Sequence, residues 1–444
     1  MENKNSMQLT QNKQSALFLI EFFRQNFSLS VRSRTLTIRS NRHTGEPFAG
    51  LQSSRSPRKI RNLAAIQSGL TSPCPPQENG VFQRRRREPQ KARALHIAPR
   101  PSATRENPMG MTPKPGIAAQ VHGMSREDRI RAAFYHGALL TLEKPAYLRA
   151  LRVFMEELLR EDSASNDLTV EAMGIDAPGC VVEIRAKEAG IAAGIEEAAW
   201  IYENSGQSVM RIAEDGAALS PGDLLIRVSG NARELLPLER VIVNLMQRMS
   251  GIATATRRLV AAARDASPSA HVVGTRKTPC GLLDKRAIHH GGGGTHRLSL
   301  SDAILIKTNH LRLASHDFSS ASHDTLRRAW TNRKSAAFFE VEVTTIDEAL
   351  GVACALSELQ SASPESCPCI LMLDNFLPAD AARAVMALRE NNLHDSVLVE
   401  ASGNVSEASV ASFAAAGVDA ISIGALTHSA RALDLSAKLI PGTR

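Results

Sequence analysis

The chain has 444 residues, with 53 Lys+Arg against 45 Asp+Glu and a formal net charge of +8; that length supports two or three domains around a large core. The excess is local. Residues 1–124 carry 20 Lys+Arg and 6 Asp+Glu, while the other 320 carry 33 and 39, so the body is mildly acidic and does not read as a nucleic-acid-binding surface. No run of about 18 apolar residues offers a membrane span. The 6 cysteines lack paired C-x₂-C spacing, which argues against a zinc site and for free thiols in a reducing compartment.

Residues 1–124 are rich in Arg, Ser, Pro, Asn and Gln, and include Arg84-Arg85-Arg86-Arg87 followed by Glu88-Pro89. High charge with few apolar residues predicts a disordered basic extension without catalytic content. Three readings fit it: an extension ahead of a later start at Met109, Met111 or Met124, a solvated tail, or a targeting leader. A cytoplasmic protein is the expectation.

Order begins at Ser125, where a cap-like sequence precedes helices predicted over 126–141 and 146–160. An acidic, turn-rich loop at 161–169 leads to a strand at 180–187, a helix at 191–204, and strands at 208–212 and 224–229. This is a small α/β unit with an antiparallel sheet. The longest helical pattern runs from 235 to 264, and Arg240 on it reads, by itself, as a solvated helix residue.

From Val272 the pattern changes. Short apolar runs recur at 272–273, 303–306, 338–343, 370–373, 397–399 and 420–423, with helical stretches at 324–330, 345–359, 378–390 and 406–416. Strands alternating with helices predict a parallel α/β architecture. Each strand ends in chemistry: Thr275-Arg276-Lys277, Lys307, Glu342, Asp374-Asn375, Ser402-Gly403 and Gly424-Ala425. Strand C-terminal ends are where α/β barrels assemble their sites.

The strand ends sort by charge. Arg276, Lys277, Arg297 and Lys307, with His296, form a cationic group suited to carboxylates or phosphates. Glu342 and Asp374 suit Mg²⁺ on a pyrophosphate, or a developing cation. Ser402, Gly403 and Asn404 precede a helix and can cradle a phosphate on backbone N–H groups, and Gly424 lets another approach closely. Together these point to transfer at an activated ribose carbon.

The segments TRKTP (275–279), GGGGTHR (291–297), DAILIKTNH (302–310), EVEV (340–343), LDN (373–375), EASGN (400–404) and ISIGALTHSARALD (421–434) resemble the quinolinate phosphoribosyltransferases, the carboxylating nicotinate-nucleotide pyrophosphorylases. The resemblance covers 145–442. It implies an N-terminal α/β sandwich (125–238), an incomplete seven-stranded α/β barrel (239–428) and a C-terminal helix (429–444) packing back on the sandwich. It also implies transfer from phosphoribosyl pyrophosphate to quinolinate with Mg²⁺, in a homodimer or higher assembly, with no nucleic-acid or membrane partner. Carried over by motif, Arg276, His296, Arg297 and Lys307 hold the quinolinate carboxylates, and Arg240 reaches the neighbouring subunit's site. Lys277, Glu342 and Asp374 address the phosphoribosyl pyrophosphate and its metal. Thr275, Ser402, Gly403, Asn404, Ile423, Gly424 and Ala425 complete the substrate contacts.

Three departures stand out. Thr308 replaces the usual acidic residue after Lys307, Asn404 replaces a glycine, and the loop after Lys277 is about two residues shorter and lacks an arginine. Two rival readings remain: a related phosphoribosyltransferase acting on another acceptor, and a silent barrel whose basic tail binds nucleic acid or membrane.

Overall fold

The computed structural model describes residues 123–162, 164–314, 318–363 and 367–442; the extension expected over 1–124 lies outside them up to residue 122. The chain opens with α1 (Arg126–Phe134), α2 (Pro145–Glu161) and α3 (Leu168–Ala172). Ser125 caps α1 by accepting from Asp128 N, satisfying one of the orphan donors of a helix start. Next come β1 (Cys180–Ala186), β2 (Gly190–Ile191), α4 (Ile195–Asn204), β3 (Ser208–Arg211), β4 (Ala218–Leu219) and β5 (Leu224–Gly230). The helix expected from 191 starts later, because Gly190–Ile191 pairs with β4.

A single helix, α5 (Ala232–Ala266), carries the chain from the sandwich to the barrel. The barrel then alternates β6 (His271–Val273), α6 (Leu282–His290), β7 (Ile304–Ile306), α7 (Thr308–Ala314), α8 (Phe318–Thr331), β8 (Phe339–Val343), α9 (Ile346–Ser361), β9 (Cys369–Asp374), α10 (Pro378–Glu390), β10 (Leu398–Ser402), α11 (Glu407–Ala415), β11 (Ala420–Ser422) and α12 (Ala425–His428), before a last strand, β12 (Leu435–Ile440).

The six parallel strands run in the order β6-β11-β10-β9-β8-β7. All five residues of β8 are buried, as expected where both faces of a strand are covered. The family resemblance predicts seven staves, and the glycine tract occupies the remaining place. Gly294 bridges Val273 in parallel, exchanging backbone bonds with Val272 and Gly274 at 2.9 Å each, without extending into a ladder. A Cβ at Gly294 would stand 2.8 Å from Val273 Cγ1 and 3.2 Å from the Phe134 backbone, so only glycine lets the chain pass there.

Two expectations are corrected. Helix α1, assigned above to the sandwich, packs under the barrel: Ile130, Ala133 and Phe134 cluster with Val273, Ala303, Phe338, Ile370, Leu398 and Ala420. Their i, i+3, i+4 spacing makes one apolar face, and Arg126 locks it with a double 2.6 Å contact to Asp419. The C-terminal segment is a strand, not a helix. Residues 435–440 pair antiparallel with β1, giving a four-stranded sheet β12-β1-β5-β3. The edge of β1 presents unpaired backbone groups that a strand satisfies and a helix would not.

Candidate active site

The strand ends meet at one mouth, in two electrostatic neighbourhoods. Arg276, exposed in the loop after β6, and Arg297, 8% exposed, repel one another: burial first, then Arg276, holds the Arg297 guanidinium below its ordinary pKa. Neither has a carboxylate partner within ion-pair range among the described residues, and Arg297 Nη1 donates only to Ala303 O, at 3.3 Å. Two unneutralised guanidiniums side by side make a site for an anion.

The second neighbourhood is paired. Lys307 Nζ donates to Glu342 Oε2 at 2.5 Å, and Thr308 donates to Glu342 Oε1 from its hydroxyl (2.9 Å) and its backbone N (3.2 Å). Burial opposes charge on Glu342, but Lys307 and Thr308 prevail and hold its carboxyl below the ordinary range. Lys307, expected on the acceptor side, is thus engaged by the carboxylate at the end of the next strand. Thr308 orients Glu342 where the resemblance led us to expect an acidic partner for Lys307. Asp374 is shifted the other way: burial, then the Glu342 charge, raises its carboxyl, with Lys307 and Lys277 opposing. Two hard oxygen donors, one paired with Lys307 and the other, Asp374, raised by burial and by the charge of the first, fit a divalent cation of the Mg²⁺ type, which takes one or two carboxylates and completes its shell from phosphates and water.

The side expected to take a phosphate is built from tight turns. Asn375, at φ +58°, donates its N–H to Ser402 O at 2.8 Å, and its side chain accepts from Asn404 Nδ2 at 3.2 Å. Asn404 adopts φ +50°, a left-handed value that asparagine tolerates better than most residues. Gly403 has φ +91°, and an added Cβ would collide with Asn375 Oδ1 and lie 3.0 Å from its backbone N. We expect Gly403→Ala to raise KM for the phosphorylated substrate at least tenfold at unchanged KM for the acceptor, as read by initial-rate kinetics. Thr275 Oγ1 accepts from Lys277 N at 3.1 Å, and Thr427 Oγ1 donates to Lys277 O at 2.8 Å. The Lys277 side chain lies against Gly424, its Cδ 3.3 Å from where a Cβ would stand. Ile423 N donates to Val273 O at 3.0 Å, and Ala425 opens α12 at the same edge.

His296 departs from its expected place among the acceptor contacts. It sits at φ +55°, 6% exposed, with Nδ1 accepting from Arg297 N at 2.8 Å. Its Nε2 faces inward, 3.2 Å from Glu400 Oε2 and 3.4 Å from Glu340 Oε2. Burial disfavours the imidazolium, and the Nδ1 lone pair that accepts from Arg297 N requires the neutral ring; Glu400 and Glu340 pull the other way and hold the ring proton on Nε2, while burial and then Glu400 push Glu340 up to about 7. The two buried carboxylates attract the ring more strongly than the solvated mouth does, so His296 supports Arg297 from below.

Arg240 is exposed on α5 and is not brought to the mouth. It lies two turns before Arg248, about 12 Å along the axis. Sequence reading missed Arg248, Asp284, Lys285, Glu340 and Glu400. Arg248 meets Asp284 in a two-point contact (2.8 and 2.7 Å), and Asp284 also accepts from Thr278 Oγ1 and Cys280 N. That pair braces the shortened loop after Lys277. Burial and Asp284 raise the Cys280 thiol, against a thiolate nucleophile. The sequence signal for Glu340 and Glu400 is an acidic residue flanked by apolar ones in the interior of a strand, and those flanking residues are all buried.

An α/β barrel with guanidiniums, a carboxylate pair and two glycine turns at one mouth is an enzyme-type site for polyanionic ligands. Models of the quinolinate phosphoribosyl transferase N-terminal and C-terminal domains match residues 167–250 and 252–438, dividing the chain inside α5. A probable carboxylating nicotinate-nucleotide pyrophosphorylase of Archaeoglobus fulgidus is 38% identical over 260 residues, 58% of this chain and 93% of that protein. The chloroplastic carboxylating nicotinate-nucleotide pyrophosphorylase of Arabidopsis thaliana is 36% identical, over 57% and 72%. The crystal structure of NadC from Streptococcus pyogenes superposes with a TM-score of 0.56 at 30% identity, covering 66% of this chain and 98% of that one. This chain belongs to the quinolinate phosphoribosyl transferase family.

Proposed function

We infer that the protein transfers the phosphoribosyl group of phosphoribosyl pyrophosphate to quinolinate, releasing pyrophosphate and CO₂ and giving nicotinate mononucleotide for NAD biosynthesis. The observation that carries this reading is the division of the mouth: Arg276 and Arg297, with no carboxylate in ion-pair range among the described residues and each repelling the other, beside the Glu342–Asp374 carboxylates with their lysines. A dicarboxylate fits the first side and a metal-bound pyrophosphate the second. Quinolinate binds through its carboxylates to Arg276 and Arg297, which fixes the pyridine nitrogen toward the ribose. Ser402, Gly403, Asn404, Ile423, Gly424 and Ala425 hold the 5′-phosphate, and Lys277 neutralises negative charge beside Asp374.

Glu342 and Asp374 would hold Mg²⁺, which supplies charge neutralisation for the departing pyrophosphate. Lys307 releases or retains Glu342 according to that charge. No covalent nucleophile is needed: the pyridine nitrogen attacks the ribose carbon as pyrophosphate leaves, the cationic ring nitrogen stabilises the electron pair left on the adjacent carbon when its carboxylate departs as CO₂, and a proton from solvent then fills that position. We further assign the working unit as a homodimer or higher assembly in which the partner subunit's Arg240 completes the acceptor site, and place the protein in the cytoplasm; exclusive recovery of the tagged full-length chain from an organelle would refute that placement. Among the described residues no helix is long and apolar enough to cross a membrane.

The deciding assay supplies carboxyl-labelled quinolinate to the purified protein. Labelled CO₂ is expected only with both phosphoribosyl pyrophosphate and Mg²⁺ present. Turnover of nicotinate in place of quinolinate would instead support the related enzyme with another acceptor, and no turnover of either would support the silent barrel.

A further inference from the structure

Lys285 is the one buried cation at this site that the reading above leaves without a task. It lies on α6, 1% exposed, and its Nζ donates to a single acceptor among the described residues, Thr295 O, two positions before Arg297. An ammonium carries three N–H donors and a neutral amine two, so this bond holds the nitrogen in place without fixing its charge. The groups that face it are Arg276 from the loop after β6, Arg297 and Asp302 from the segment before β7, and His136 from the segment after α1. On its own helix, the neighbouring Asp284 is committed to Arg248 and Arg286 to Glu196 and Glu197. The amine is therefore surrounded by two fixed guanidiniums and one carboxylate. Asp302 is already used, accepting from Leu298 N at 2.6 Å and Ser299 N at 2.8 Å.

We propose that Lys285 is a specificity-determining residue that senses acceptor charge, taking up a proton from solvent when a dianion settles against Arg276 and Arg297. The proposal rests on the acceptor reading above. Burial, and then Arg276, lower the free amine to about 7, so above neutral pH it is largely uncharged while the pocket is empty. A bound dicarboxylate cancels the two guanidinium charges that disfavour the ammonium. With those charges cancelled, Asp302 is the remaining charge that acts on the amine, and it favours the ammonium against burial. A monocarboxylate cancels only one of them and leaves the amine neutral. The sign follows: affinity for the dianion falls as pH rises above about 7, because the proton must be taken from a scarcer supply. For a monoanion it stays nearly flat over the same range. The pocket thus holds two permanent cations and a third that forms only for the correctly charged ligand.

The test is titration calorimetry of quinolinate into the full-length protein at pH 8, without phosphoribosyl pyrophosphate, in buffers of different ionisation enthalpy. Uptake approaching one proton per site is expected for quinolinate and near zero for nicotinate. Uptake should disappear in both Lys285→Met and Lys285→Arg, the second keeping a permanent charge in case the first fails to fold. Binding of quinolinate by the wild type without proton uptake, or equal uptake in wild type and Lys285→Arg, overturns the proposal while leaving the acceptor assignment standing. A wild type that does not bind quinolinate overturns both.

Discussion

Arg276→Ala lowers kcat/KM for quinolinate by about 10²–10³, while KM for phosphoribosyl pyrophosphate stays within about twofold. The size follows from removing a charge-assisted, two-point contact to a carboxylate, which costs about 3–4 kcal/mol when the partner group is left desolvated. The selectivity follows from the mouth's division, since Arg276 acts on Arg297 and Lys285 and is absent from the groups that shift Asp374. Equal losses toward both substrates would argue that the two neighbourhoods are one. The same variant tests the shared site. Arg276→Ala and Arg240→Ala subunits, each inactive alone, should recover about a quarter of wild-type activity when mixed. Half of randomly assorted dimers are then heterodimers with one intact site of two. If mixing restores nothing, Arg240 does not act across an interface.

Arg248→Ala is expected to destabilise the fold by about 3–5 kcal/mol, because it strands a fully buried carboxylate without its partner. Asp284 has no exposed side-chain area, whereas Arg248 keeps 28%; the burden of the lost pair falls on the buried member. The urea midpoint measures this directly. The double variant Arg248→Met with Asp284→Leu should recover most of the loss, since it removes both charges. Its activity should stay low, because Thr278 and Cys280 lose the acceptor that holds their loop beside Lys277. A double variant no more stable than Arg248→Ala would show that the loop, rather than the charge, sets the penalty.

Strand periodicity and strand-end chemistry were legible without coordinates. Apolar runs of two to six residues recurring between helical stretches mark buried parallel strands, and a charged residue closing such a run must point out of the core. That logic located Glu342, Asp374, Ser402 and Gly424, all of which lie at strand ends. It failed where the local sequence left the tertiary solution open. Asp284, Lys285 and Arg286 lie between the first strand end and the glycine tract, where the sequence shows no strand or helix pattern and no role, yet all three are buried. Their partners, Arg248, Thr295 and Glu196/Glu197, are distant in sequence, and nothing local announces them. The C-terminal helix was an expectation carried by the resemblance; the segment is a strand because its pairing edge on β1, some 250 residues upstream, decides it.

By itself, then, the amino-acid order determined the six barrel strands and four of the helices between them, the polyanion-binding character of the mouth, and the family. Side-chain chemistry and apolar period are local properties that packing cannot change. Only the tertiary structure decided which cation faces which anion: Lys307 taken by Glu342, His296 turned inward to Glu340 and Glu400, Arg276 and Arg297 left unpaired, and Lys285 buried beside them. Coulomb energies depend on separations of a few ångströms in a medium of low and uneven dielectric, and those separations are set by contacts between residues far apart in the chain.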